Sequence, residues 1–246
     1  MTSRSDLGSH PVAATLPNRE LIGSIREGLA RAANPAKAAA MQAYMKSAMP
    51  YYGVQVPAQR GVFRSVLAAY PRENCEVWQA TVLALWREAT HREERYAAIE
   101  LAGDRRYCAF RTTAVLPMYE EMVVTGAWWD VVDAIATRQL GELLGRELET
   151  MRAAMVAWSR DASLWKRRAA IICQVNRKRQ TDVGLLHACI ENNLDGRDFF
   201  IRKAIGWALR AYAWAEPEAV STYVDQIGDR LSSLSRREAL KNIHPR

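Results

Sequence analysis

The chain has 246 residues, 49% of them hydrophobic and 25% charged, with 34 basic against 27 acidic side chains for a formal charge of +7. That length can bury a sizeable core as one large or two small domains, no 18-residue apolar run offers a membrane span, and the four cysteines and four histidines form neither a Cys-x-x-Cys nor a His-Glu-x-x-His spacing. The expectation is a soluble, reduced, cytoplasmic protein without structural metal, whose positive balance favours polyanionic partners.

Residues 1–18 carry Pro, Gly and Ser and no long apolar core, so they read as a flexible tail rather than a signal peptide, ahead of a single domain over 19–246. Leu21, Ile22, Ile25 and Leu29 recur at helical spacing. Asn34 as a cap and Pro35 as a first helical residue then open a second helix through Ala48. Pro50 and Tyr51-Tyr52-Gly53 make a loop. After Pro57 the apolar face of Val62, Phe63, Val66, Leu67 and Tyr70 predicts a helix that ends at Pro71. Helices follow over 76–86, 92–101, 113–124, 127–139 and 146–159, with Pro117 predicting a kink or a later start. From the cap Ser163, more are expected over 164–176, 181–191, 198–213, 217–226 and 235–242. No convincing alternating strand interrupts them, and the connections are short. The expected fold is all-α: about a dozen antiparallel helices in HEAT-like pairs, stacked as a right-handed α-solenoid with a concave basic groove. Basic residues gather in 165–179, 199–210 and 234–246, so several helices can present cations to one phosphate track.

Two stretches carry chemistry. In GAWWDVVDAIA (126–136), Trp129 and Asp133 stand four apart and project from one helix face. A carboxylate beside an indole is costly unless a cation or donor meets it, so Asp133 asks for a partner, either protein or ligand. In FFIRKAIGWALRAYA (199–213), Phe200, Ala204, Trp207, Ala208 and Ala211 share one face, while Phe199, Lys203, Gly206 and Arg210 share its neighbour. Phe200 and Trp207 read as core, and Lys203 and Arg210 as a solvated face. Yet aromatic and cationic groups meet at one edge, which suits nucleic acid. Gly206 within a helix costs about 1 kcal/mol against Ala, which predicts close approach of another backbone or of a ligand.

Five stretches in order, NPAKAAAMQAYMKSAMPYYGVQVPAQR, AWWDVVDAI, LWKRRAAII, FFIRKAIGWALRAYA and LSRREALKNI, resemble the AlkD-type DNA alkylation repair enzymes, which are HEAT-like-repeat DNA glycosylases. The likeness runs over residues 34 to 243. It implies removal of cationic alkylated purines, such as N3-methyladenine and N7-methylguanine, from double-stranded DNA without cofactor or metal. By position it implies Asp133 as the catalytic carboxylate and Trp129 and Trp207 as paired indoles lining the lesion site. Arg168 is implied as the arginine that meets the DNA backbone, with Arg167 one register away. Tyr44, Gln55, Phe199, Phe200, Lys203 and Arg210 are implied as further DNA contacts, the last two on phosphates. Met49 and Tyr51 stand where the family more often has Phe, a departure that bears on lesion preference. A monomer is expected, as for many solenoids with polar ends.

The chemistry suits these residue types. Methylation at N7 or N3 leaves a positive charge on the purine and makes it a good leaving group from an oxocarbenium-like sugar. A carboxylate supplies negative potential beside that sugar, directly or through an oriented water. Indole faces attract the cation by about 0.5 to 2 kcal/mol each. No lysine adjoins Asp133 as a Schiff-base nucleophile, so a monofunctional enzyme that leaves an abasic site is expected.

Overall fold

The computed structural model describes residues 15–243. Among them the chain forms fourteen α-helical segments and no strand. These begin with α1 (Arg19–Arg31), α2 (Pro35–Met45), α3 (Val56–Ala69), α4 (Cys75–Arg87) and α5 (Arg92–Ala102). Two 3-10 turns, Arg105–Phe110 and Thr113–Val115, lead to α6 (Leu116–Gly126). Next, α7 (Trp129–Ala134) runs through a π-helical stretch, Ile135–Leu140, into α8 (Gly141–Arg146). The remainder comprises α9 (Leu148–Trp158), α10 (Leu164–Ile172), α11 (Val183–Glu191), α12 (Phe199–Ala213), α13 (Pro217–Ile227) and α14 (Ser233–Ala239).

Most of the expected tail, residues 1–14, lies outside the described residues. Asn18, placed in that tail by the sequence reading, is instead anchored: its side chain caps α1 by accepting from the Leu21 N–H, and its own N–H donates to Thr81 Oγ1 at 2.9 Å. The second helix stops at Met45, short of the expected Ala48, because Lys46 takes a left-handed φ of 49°. Pro117 sits in the first turn of α6, where its missing N–H costs nothing, so it delays the helix rather than kinking it. The helix expected over 127–139 starts two residues later, since Ala127 at φ 37° and an extended Trp128 form the turn, and it continues to Arg146.

Helices pair along the chain, α4 on α5, α6 on α7 and α9 on α10. One row of contacts runs through α5, α7, α10, α12 and α14, with α4 against α6 and α9 against α11 in a second row. The result is an all-α, solenoid-like stack. A single hydrophobic cluster extends from Leu21 to Ala239, with Trp78, Trp86, Tyr107 and Tyr119 among its fully buried members. Burying each such side chain contributes roughly 1.5–3 kcal/mol. The close approach expected at Gly206 is to α14, side chain and backbone together: a Cβ there would stand 2.5 Å from Glu238 Cβ and 3.0 Å from the Ser235 carbonyl oxygen. Only hydrogen lets those two helices meet.

Candidate functional site

The row formed by α7, α10 and α12 carries the site. Helix α7 presents Trp129 and Asp133 one turn apart. The partner that Asp133 requires is protein: Arg168 of α10 donates Nε to Oδ1 and Nη2 to Oδ2, both at 2.7 Å. Its Nη1 donates to the Phe200 carbonyl of α12 at 2.7 Å. One guanidinium therefore ties three helices, and the fork geometry of arginine suits it to the task. Arg168 is buried, and the Asp133 side chain keeps 18% of its surface open. Burial pushes the Asp133 carboxyl above its ordinary value, the Arg168 hydrogen bonds and charge pull it back, and the neighbouring Asp130 charge pushes it up again. Desolvation wins.

Asp130 has its own cation and a hydroxyl donor. Arg92 of α5 meets it at 3.2 and 2.6 Å, and the Tyr96 hydroxyl donates to it at 2.5 Å. Tyr51 and Tyr96 share a hydroxyl contact of 2.8 Å. Burial first and then the Asp130 charge hold the Tyr96 phenol far above its ordinary range, so it stays a donor. Two carboxylates three residues apart on α7 are thus held by arginines of two different helices, α5 and α10.

An aromatic wall stands beside the ion pair. Phe200 meets the Trp128 edge at 5.4 Å between centroids and Trp165 at 5.1 Å, and Phe199, half-exposed, meets Phe200 at 5.5 Å. The Arg168 guanidinium carbon lies 5.9 Å from the Phe200 centroid, which adds cation-π attraction to the pair. Trp129 behaves differently. Its indole is half-buried, yet it belongs neither to the hydrophobic cluster nor to the partly buried side chains packed on it. Trp207 does rest against the cluster. Neither indole stacks on another aromatic ring among the described residues.

The remaining sequence candidates lie around this centre. Lys203 and Arg210 converge on Glu238 of α14, at 3.0 and 2.6 Å. Burial raises the Glu238 carboxyl, and Lys203, Arg210 and the nearby Lys241 charge outweigh it to hold the group below its ordinary value. Two cations on one carboxylate leave a net positive edge. Tyr44 is exposed and lines a cavity of about 520 Å³ together with Tyr51, Tyr96 and Asp130. Gln55 is exposed and accepts from Lys37 Nζ at 2.6 Å. Arg167 serves the chain, donating to the Asp161 and Ala162 carbonyls. Arg168 was expected on the DNA backbone, whereas its three bonds commit it first to Asp133 and Phe200.

Asp133, Arg168 and Phe200 are brought into contact; Trp129, Trp207 and Lys203 join them by helix register; Tyr44 lines the cavity on the Asp130 side of α7, and Gln55 stands at the start of α3 outside that lining. Sequence reasoning missed Trp128, Asp130 and Trp165. All three sit inside stretches it quoted, and a second acid three residues before Asp133 was the available signal. No group of three or more His, Cys, Asp or Glu suited to a metal ion occurs among the described residues.

The centre of this all-α stack is thus a carboxylate clamped by an arginine, with the half-buried Trp129 one turn before it on α7. The chain belongs to the DNA alkylation repair enzyme family, whose profile matches residues 25–243. Its structure is similar to that of a predicted DNA alkylation repair enzyme from Enterococcus faecalis, with a TM-score of 0.76 and 29% identity over 87% of this chain and 98% of that one. No curated protein matches the chain.

Proposed function

We propose that this DNA alkylation repair enzyme is a monofunctional glycosylase that excises cationic alkylated purines, N3-methyladenine and N7-methylguanine among them, from double-stranded DNA. The observation that carries the reading is the Asp133 carboxylate, kept at the edge of a desolvated site by Arg168 beside an indole, Trp129, that packs on no core. A purely structural ion pair has no need of that opening.

The C1′–N bond of the nucleotide breaks with both electrons going to the purine, which neutralises its charge. The sugar becomes an oxocarbenium-like cation, and water adds at C1′ with loss of a proton. Asp133 stabilises the sugar cation through its charge and orients the water. Trp129 and Trp207 offer ring faces to the cationic nucleotide. Arg168 keeps Asp133 ionised against the desolvation that favours its neutral form. An undamaged base, being a poor leaving group, is spared. Lys203 and Arg210 hold phosphate with the charge that Glu238 leaves over, Tyr44, Gln55, Phe199 and Phe200 complete the DNA surface, and the enzyme works as a cytoplasmic monomer on nucleoid DNA.

The test compares wild type with Asp133→Asn on methylated duplex DNA. Release of methylated purines by wild type should fall at least about 100-fold in the variant, an electrostatic loss near 3 kcal/mol, with duplex binding retained. Equal release by both proteins removes Asp133 from the mechanism, and strand cleavage without base or heat contradicts the monofunctional assignment.

A further inference from the structure

The loop after α10 and the end of α12 form a surface apart from the ion pair and its aromatic wall. Arg177, Lys178 and Arg179 face Trp214 across a cleft of about 820 Å³, and no acidic residue lines it. Lys178 and Arg179 are exposed and pair with no carboxylate among the described residues. Trp214 is 76% exposed, the most open indole assigned to no part of the core. Glu216, the closest acid in sequence, does not line the cleft.

The loop is tied down. Asn176 Nδ2 donates to the Thr137 carbonyl at 3.0 Å, Arg177 Nη1 to the Gly141 carbonyl at 3.3 Å, and Arg177 Nε to the Gln180 carbonyl at 3.2 Å. Lys178 takes a left-handed φ of 52°, a conformation that costs a residue with a Cβ and is kept here by the bonds on either side. Thr137 in turn donates its hydroxyl to the Asp133 carbonyl at 2.8 Å. The loop therefore seats one turn beyond Asp133 on the same helix.

We propose that Lys178, Arg179 and Trp214 form a clamp for the sugar-phosphate backbone of DNA flanking the lesion. The two free cations take successive phosphates, and the indole lies against the sugar edge between them. This rests on the DNA-directed reading of the Asp133 site and adds to it a strand contact beyond the lesion. Fixing the backbone one turn from Asp133 sets the register in which a damaged nucleotide meets Trp129. A free ammonium or guanidinium matched to phosphate releases a counterion, so the contact declares itself in salt dependence.

The test is binding of the full chain to an unmethylated DNA duplex across a potassium chloride series, by fluorescence anisotropy. In Lys178→Gln/Arg179→Gln the slope of log affinity against log salt should shrink by about 1.8, two phosphates at about 0.9 each. Trp214→Ala should weaken binding about fivefold or more at fixed salt while keeping the slope, the mark of an uncharged contact that releases no counterion. An unchanged slope in the double variant, or unchanged affinity in Trp214→Ala, overturns the clamp. All three side chains are exposed, so loss of fold does not confound the comparison. A reduced slope in a protein that releases no methylated purine supports the clamp and removes the glycosylase reading; intact release with an unchanged slope removes the clamp alone.

Discussion

Arg168 touches Asp133 with two nitrogens, and the balance at that contact sets how the site answers to pH. Burial raises the carboxyl and Arg168 lowers it, with burial the larger effect. A folded value above the ordinary 3.8 means that Asp133 favours the folded state below that pH and that the contribution is lost as pH rises through the folded value. At neutral pH the ionised carboxylate is a cost the fold bears for chemistry. Replacing Arg168 with Leu removes the counterweight and raises the carboxyl further. The acid limb of the pH profile for purine release should then move to higher pH, whereas a merely structural loss would lower the whole profile in place. Unfolding in urea should show a loss of about 3 kcal/mol, the low end for breaking a buried pair because Asp133 keeps an open edge. Both residues were legible from their motifs, but the bond between them was not. They lie 35 positions apart, and helical spacing fixes the face a side chain shares only with residues a few positions away. The same limit hid Trp128 and Trp165, whose meeting depends on how α7 and α10 cross.

Among the elements, the loop between α2 and α3 shows how a turn is held from a distance. Glu93, fully buried on α5, accepts from the backbone N–H groups of Tyr52, Gly53 and Val54 at 3.0, 2.9 and 3.1 Å. Gly53 takes a φ of 82°, and a Cβ there would stand 2.1 Å from the Asn34 carbonyl oxygen. Gly53→Ala should cost about 3 kcal/mol or more in thermal or chemical unfolding, through strain and collision together. Glu93→Gln should cost about 2 kcal/mol, since its amide turns a donor toward donors. The next residue, Glu94, is raised by burial but brought below its ordinary 4.5 by Thr90, Tyr52 and Arg26. Its contribution is full above that pH and fades as pH falls through the folded value, so acid should loosen α5 first, a change visible as faster amide exchange there. The sequence displayed the helices through their apolar spacing. It hid their ends, because Lys46 and Ala127 turn left-handed without a glycine to announce it.

For the molecule as a whole, a charge of +7 over a stack of short helices governs partners more than stability. Duplex affinity should fall steeply with salt; an affinity indifferent to salt would show that the basic balance does not serve DNA. Light scattering after gel filtration should give one chain mass, 27.7 kDa, and a doubled mass would refute the proposed monomer. The all-α stack was readable from periodicity because each helix shows one apolar face to its neighbours. The π-helical stretch was not readable, since nothing in ATRQL departs from helical composition.

That stretch separates two tasks within one rod. In an uninterrupted α-helix every side chain points in a direction fixed by all the others, about 100° per residue. Ile135–Leu140 carries a wider turn, so the half bearing Trp129, Asp130 and Asp133 is out of phase with the half that seats Leu143 and Leu144 in the core. Aim and anchorage can therefore change independently. A lineage that gained or lost a single residue here could swing a carboxylate toward a differently shaped substrate while leaving its hydrophobic foundation in place.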